Sequence, residues 1–92
     1  MKYCKWNVEK NEILQKERGI SFEMVIYLIE TKNVPDIYHH PNQEKYPDQK
    51  IYVIEFEDYA YLVPFVEEDD VIFLKTIIPS RKATNKYLKR GK

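Results

Sequence analysis

From Lys50 to Ile78 the chain consists of three runs rich in β-branched and aromatic residues, joined by links too short for anything but hairpins. In Lys50 to Glu57, Ile51 and Val53 alternate with Tyr52, Ile54 and Phe56. In Tyr59 to Val66, Tyr59, Tyr61, Val63 and Phe65 alternate with Ala60, Leu62 and Val66. Val71 to Ile78 is the third run. A tight turn at Glu57 to Tyr59 and an acidic one at Glu67 to Asp70 leave no room for a crossover, so the runs must pair antiparallel, as a meander. Pro64 has no N–H to give a ladder, which predicts a bulge there or a nitrogen turned away from its neighbour. Both faces of this meander are apolar or aromatic, so each needs a cover.

Two N-terminal helices can cover one face. Asn7 caps Val8 to Arg18, with Ile13 and Leu14 turned inward, and Gly19 suits the residue after the helix, where positive φ is wanted. Ser21 caps Phe22 to Thr31, whose Phe22, Val25, Ile26 and Ile29 share a face with Leu28 at its margin. The other sheet face is expected to leave Tyr52, Phe56 or Tyr61 partly open to a ligand or a partner. Upstream, Lys2 to Trp6 is extended, and Val34 to Tyr38 is an edge strand. His40 to Asp48 is a loop long enough to carry function. The fold class is α+β: two N-terminal helices, an antiparallel sheet of three to four strands and a short C-terminal helix.

Ninety-two residues make one domain, 1–92, and 43% hydrophobic with 33% charged residues is ordinary globular composition. A single cysteine, Cys4, fits a reducing compartment. No apolar run approaches the roughly 18 residues of a membrane helix, and the first ten residues lack a signal-peptide core. The expectation is a soluble, cytoplasmic protein with no membrane partner. Fifteen basic and fifteen acidic residues cancel, yet their distribution is uneven. Glu55 to Asp70 carries seven acids and no base. Ser80 to Lys92 carries six Lys or Arg and no acid. Such polarity suits one face that repels and another that attracts a polyanion, although separated charge runs are more often plain solvated surface.

The basic segment follows the third strand. Pro79 ends that strand and Ser80 caps a short helix from Arg81 to Arg90, with Gly91 as its stop. Two adjacent histidines and one distant cysteine do not supply a zinc set, and no phosphate-cradling glycine loop is present. No metal or cofactor is expected. Cleavage of RNA by its own 2′-hydroxyl asks for less: a proton acceptor, cations for the crowded phosphorane and a proton donor for the leaving oxygen. His39, His40, Lys45, Tyr46 and Lys50 precede the meander, and Arg81, Lys82, Lys86 and Tyr87 follow it. The histidines read more readily as exposed and idle, and the lysines equally as a solubilising helix face. Tyr52, Phe56 and Tyr61 read first as core.

Trp6-Asn7-x-x-Lys10, Arg18-Gly19-Ile20-Ser21-Phe22-Glu23 and Ile77-Ile78-Pro79-Ser80-Arg81-Lys82-Ala83-Thr84 resemble the BrnT toxins of type II toxin–antitoxin systems, over almost the whole chain. The resemblance implies a fold like that of the RelE and ParE toxins. It also implies ribonuclease activity that inhibits translation, and a cognate DNA-binding antitoxin through which the toxin meets DNA only indirectly. It marks Lys50, where the family commonly has Arg, together with Arg81 and Lys82. Arg18 stands where the family often has His, Leu14 replaces an Asn of the first helix, and Tyr87 replaces an acid.

The expected function is thus a metal-independent endoribonuclease toxin. Lys50 and Arg81 stabilise the scissile phosphate, His40 carries the proton, and Lys45, Lys82, Lys86 and Lys89 bind the RNA backbone. The alternative is a non-enzymatic binding module of the same fold, acting on a partner protein or as an antitoxin-bound co-repressor. The catalytic reading requires the basic helix to fold against the start of the Lys50 strand.

Overall fold

A computed structural model describes residues Tyr3 to Leu88 as an α+β fold of three helices and a six-stranded mixed sheet. The elements run β1 (Tyr3–Lys5), α1 (Val8–Arg18), α2 (Phe22–Glu30), β2 (Asp36–His39), β3 (Gln49–Phe56), β4 (Tyr59–Glu68), β5 (Val71–Leu74), β6 (Ile78–Pro79) and α3 (Arg81–Tyr87). The strand order is β1-β5-β4-β3-β2, with β6 on β4. No described helix is long and apolar enough to cross a membrane.

The meander forms as expected. Phe56 opposes Tyr59 across a two-residue turn in which Glu57 and Asp58 have φ of 52° and 62°. Positive φ at both positions gives the turn a twist that matches that of the strands. Beyond it the sheet departs from the antiparallel expectation, because β1 pairs parallel with β5, Tyr3 opposite Val71 and Lys5 opposite Phe73. A three-residue strand has no periodicity of its own, and its partner lies at the other end of the chain.

The third run is also divided. Leu74 opposes Phe65 and Ile78 opposes Leu62, so three residues, Lys75 to Ile77, face two on β4. The bulge therefore lies opposite Pro64 and not in β4 itself. There the Pro64 carbonyl accepts the Lys75 amide at 2.8 Å, and the missing proline N–H leaves no ladder bond unmade. The extra residue changes the alternation. Leu74 and Ile77, three apart, both belong to the main core.

That core lies between one sheet face and α1–α2. It contains Phe22, Val25, Leu28, Tyr52, Ile54, Val63, Phe65, Ile72 and Leu74, most of them wholly buried. Tyr52 stacks on Phe65 with ring centroids 4.1 Å apart. The expectation that the face away from the helices leaves Tyr52, Phe56 or Tyr61 partly open is corrected: all three lie on the side the helices cover, Tyr52 within the core and Phe56 and Tyr61 partly buried against it. The inward face of α1 is corrected as well: Leu14 is buried, Ile13 is 53% exposed, and the second inward residue is Asn11. Asn11 Oδ1 accepts the Phe22 amide at 2.7 Å and its Nδ2 donates to Glu23 Oε1 at 2.8 Å. One amide thus satisfies the first orphan N–H of α2 and holds the Glu23 carboxyl below its usual range. Gly19, at φ 67°, turns the corner between the two helices, and Ser21 Oγ accepts the Met24 amide as N-cap.

Candidate functional site: the groove between α3 and β2

The second sheet face is covered by α3. Ser80 Oγ accepts the Ala83 amide at 3.0 Å and starts the helix. Ala83 and Thr84 then turn to the sheet, while Arg81, Lys82 and Lys86 stay in solvent. Ala83 packs with Val53 and Ala60, flanked by Tyr38, Leu62, Tyr87 and Leu88; small residues allow the helix to approach closely. Thr84 Oγ1 accepts the Ala60 amide at 2.9 Å, and the Ser80 amide donates to the Ala60 carbonyl at 3.0 Å. Past the short β6 the edge of β4 is therefore completed by helix groups instead of a strand. The seven residues of α3 rise about 10 Å, and two strand spacings are about 9.6 Å. The helix accordingly starts over β4 and ends at β2.

At that end the Tyr87 hydroxyl donates to Asp36 Oδ2 at 2.6 Å, and Asp36 Oδ1 accepts the Ile37 amide at 2.8 Å. The bond to Asp36, helped by some burial, raises the Tyr87 phenol to about 12. Reciprocally, the Tyr87 hydroxyl, the Ile37 amide and the nearby Lys86 charge lower the Asp36 carboxyl. Near neutrality Tyr87 is therefore a fixed donor and Asp36 a fixed, ionised acceptor. Around this pair lies an open groove of about 370 Å³, lined by Asp36, Tyr38, Pro41, Leu62, Lys82 and Lys86 together with Ser80, Ala83 and Tyr87. Its floor is apolar and its walls are phenolic. Lys86 Nζ sits 5.2 Å from the Tyr87 ring centre, and both lysines stand on the lip.

Of the residues expected to act, Lys82 and Lys86 meet here. Arg81 is exposed in the first turn of α3. Lys50 lies elsewhere. It lies two and four residues before Tyr52 and Ile54 on β3 and shares their α1–α2 face, with its Nζ 4.0 Å from Glu67 Oε1. The groove it lines holds His39, Asp48 and Glu67 to Asp69, and no residue of α3. Lys50 and the basic helix thus occupy opposite faces of the sheet, and the expected convergence of Lys50 with Arg81 does not occur. His40 is held locally: its Nδ1 accepts the Asn42 amide at 3.0 Å, and its ring lies 4.4 Å from that of Tyr46. Lys45 Nζ is 5.5 Å from the same Tyr46 ring. Lys89 lies outside the described residues, as does the expected helix end at Gly91; the described helix ends at Tyr87 with Leu88 as its cap.

The acids from Glu55 to Asp70 do not form one face, because the turns at Glu57–Asp58 and Asp69–Asp70 close opposite ends of β4. Arg18 has a structural partner, its Nη1 donating to the Ile77 carbonyl in the bulge. Sequence reasoning missed Asp36 and Tyr38 as site residues. Their only signal was membership of an edge strand, and the partner that makes Asp36 conspicuous is 51 residues away.

Comparison of the chain with protein-family models, with curated proteins and with solved structures gave no match.

Proposed function

We propose that this chain is an RNA-directed toxin of the BrnT-like class, a metal-independent endoribonuclease that holds single-stranded RNA in the groove between α3 and β2. The supporting observation is the pairing of two lysines, Lys82 and Lys86, with an aromatic-walled groove whose covering helix carries no acid. Ammonium groups contact phosphate without regard to sequence, and aromatic rings receive unstacked bases. In cleavage by the RNA's own 2′-hydroxyl, Lys82 and Lys86 would stabilise the phosphorane, with Arg81 beside them on the first turn. A cognate DNA-binding antitoxin would neutralise this activity in the cytoplasm.

The test is incubation of the purified protein with single-stranded RNA in EDTA. Fragments ending in 2′,3′-cyclic phosphate, lost on Lys82→Ala/Lys86→Ala substitution, support the reading. Intact RNA overturns the cleavage step. A second reading, a binding module that does not cleave, is favoured by one specific observation: neither His39 nor His40 lines the groove. It predicts RNA or partner binding by the same lysines without products.

A further inference from the structure

The groove holds one group that a general phosphate clamp does not need. A carboxylate in a groove that two lysines also line opposes a polyanion, yet Asp36 is held ionised and oriented there by two donors, the Tyr87 hydroxyl on Oδ2 and the Ile37 amide on Oδ1. Each bond uses one lone pair of one oxygen. A carboxylate offers about four acceptor positions, so each oxygen keeps capacity for a second donor. The two oxygens are thereby presented side by side, beside an apolar floor of Leu62 and Ala83 and a wall of Tyr38 and Pro41. What complements such a group is a planar ring carrying two adjacent N–H donors on one edge. Among the RNA bases only guanine has that pattern, at N1–H and the N2 amino group. Adenine and cytosine each place an acceptor beside their amino donor, and uracil has a single N–H between two carbonyls.

We infer that Asp36 is a base-reading residue which, with Tyr38 and Tyr87, selects guanine in the groove while Lys82 and Lys86 hold the adjoining phosphates. This rests on the proposal that the groove binds RNA. It explains why the acid is tolerated among the cations: its repulsion of phosphate is offset when a guanine edge is present and is uncompensated when another base is. The carboxylate therefore discriminates in both directions, by attraction to one base and by unrelieved charge against the others.

The experiment is a fluorescence-anisotropy titration of the whole protein with labelled single-stranded hexanucleotides. All are oligouridine, with position 3 replaced by guanosine, inosine or adenosine, or left as uridine. The guanosine oligomer is expected to bind roughly 5- to 100-fold more tightly than the adenosine one. Inosine, which keeps N1–H but lacks the N2 amino group, is expected in between. Asp36→Asn should abolish the ranking and tighten oligouridine binding, and Lys82→Ala/Lys86→Ala should weaken all four alike. Equal binding of all four oligomers by wild type overturns the inference and leaves the RNA reading standing. A guanosine preference that survives Asp36→Asn also overturns it. Absence of binding to every oligomer removes both. The inosine comparison is made on unmodified protein, so it tests the two-donor edge even if the Asp36 variant folds poorly: inosine bound as tightly as guanosine overturns the inference.

Discussion

The Thr84 hydroxyl accepts the Ala60 amide at 2.9 Å and donates to the Ser80 carbonyl at 2.7 Å, so one buried side chain joins the basic helix to the edge of the sheet. Valine has the same shape without the hydroxyl. Thr84→Val would leave the Ala60 N–H buried without a partner, at a cost of about 1–3 kcal/mol. Urea denaturation measures this, and Thr84→Ser should recover most of the loss. Equal stability of the valine variant would mean the tie contributes nothing.

Asn11 serves α2 in a similar way. Asn11→Ala removes the acceptor of a buried N–H and should destabilise by about 1–3 kcal/mol. Asn11→Asp keeps the acceptor but faces Glu23, so at neutral pH it should also be less stable than wild type. Part of that deficit should disappear as pH falls and the two facing carboxylates come to share a proton. A thermal melt series from pH 3 to 7 separates the two variants.

Glu57 and Asp58 hold positive φ without being glycine. The double substitution Glu57→Asn/Asp58→Gly suits the same turn and should stabilise by about 1 kcal/mol. An unchanged or lower denaturation midpoint would show that the turn is not strained.

The Tyr87–Asp36 contact sets a pH dependence with two limbs. The phenol is raised from 10.0 to about 12, so its contribution is complete below pH 10 and is lost as pH rises towards 12. The Asp36 carboxyl is lowered from 3.8, so its contribution is present above that value and lost as pH falls below it. Tyr87→Phe should remove the alkaline limb and return the Asp36 carboxyl towards 3.8, followed by carboxyl-carbon NMR. A Tyr87→Phe variant with an unchanged Asp36 titration would show the contact to be absent in solution.

For the RNA site, Lys82→Ala/Lys86→Ala should reduce the salt slope of single-strand binding by about 1.4, the value for two lost phosphate contacts. Lys50→Ala, on the other sheet face, should leave that slope as it is. The reverse result would move the site to the Lys50 groove.

What could be read from the chain were features whose cause is local. Asn7, Ser21 and Ser80 act as caps because each carries a side-chain oxygen at the right offset, and Gly19 ends α1 because the corner needs positive φ. The β3–β4 hairpin follows from alternation and a two-residue link. The features that escaped depend on distant partners. Nothing near Tyr3 announces Val71, and nothing near Asp36 announces Tyr87. Ile13 looked like core by hydrophobicity, yet the α1–α2 corner required an amide, and Asn11 took the inward place. Lys50 and Arg81 could be picked out as residue types, but the side of the sheet that the helix of Arg81 covers depends on a change of alternation after β5 that residue types do not reveal.

That change comes from the single surplus residue among Lys75, Thr76 and Ile77, which works as a half-step in phase. In β5 the even-numbered side chains Ile72 and Leu74 point towards the two-helix layer, and after the surplus residue the odd-numbered Ile77 does. Were all these residues drawn into one uninterrupted ribbon, Ile77 would slide opposite Leu62 and turn outward. Ile78 would be driven inward, and the basic helix would lose its seat on Ala60. Shortening the chain by Thr76 has the contrary effect, since Leu74 can stay opposite Phe65 and Ile78 opposite Leu62 with nothing left over. The location of the positive charge in this molecule is thus decided by a count: the strand is one residue too long for its partner, and looping that residue out keeps the cations on their own side.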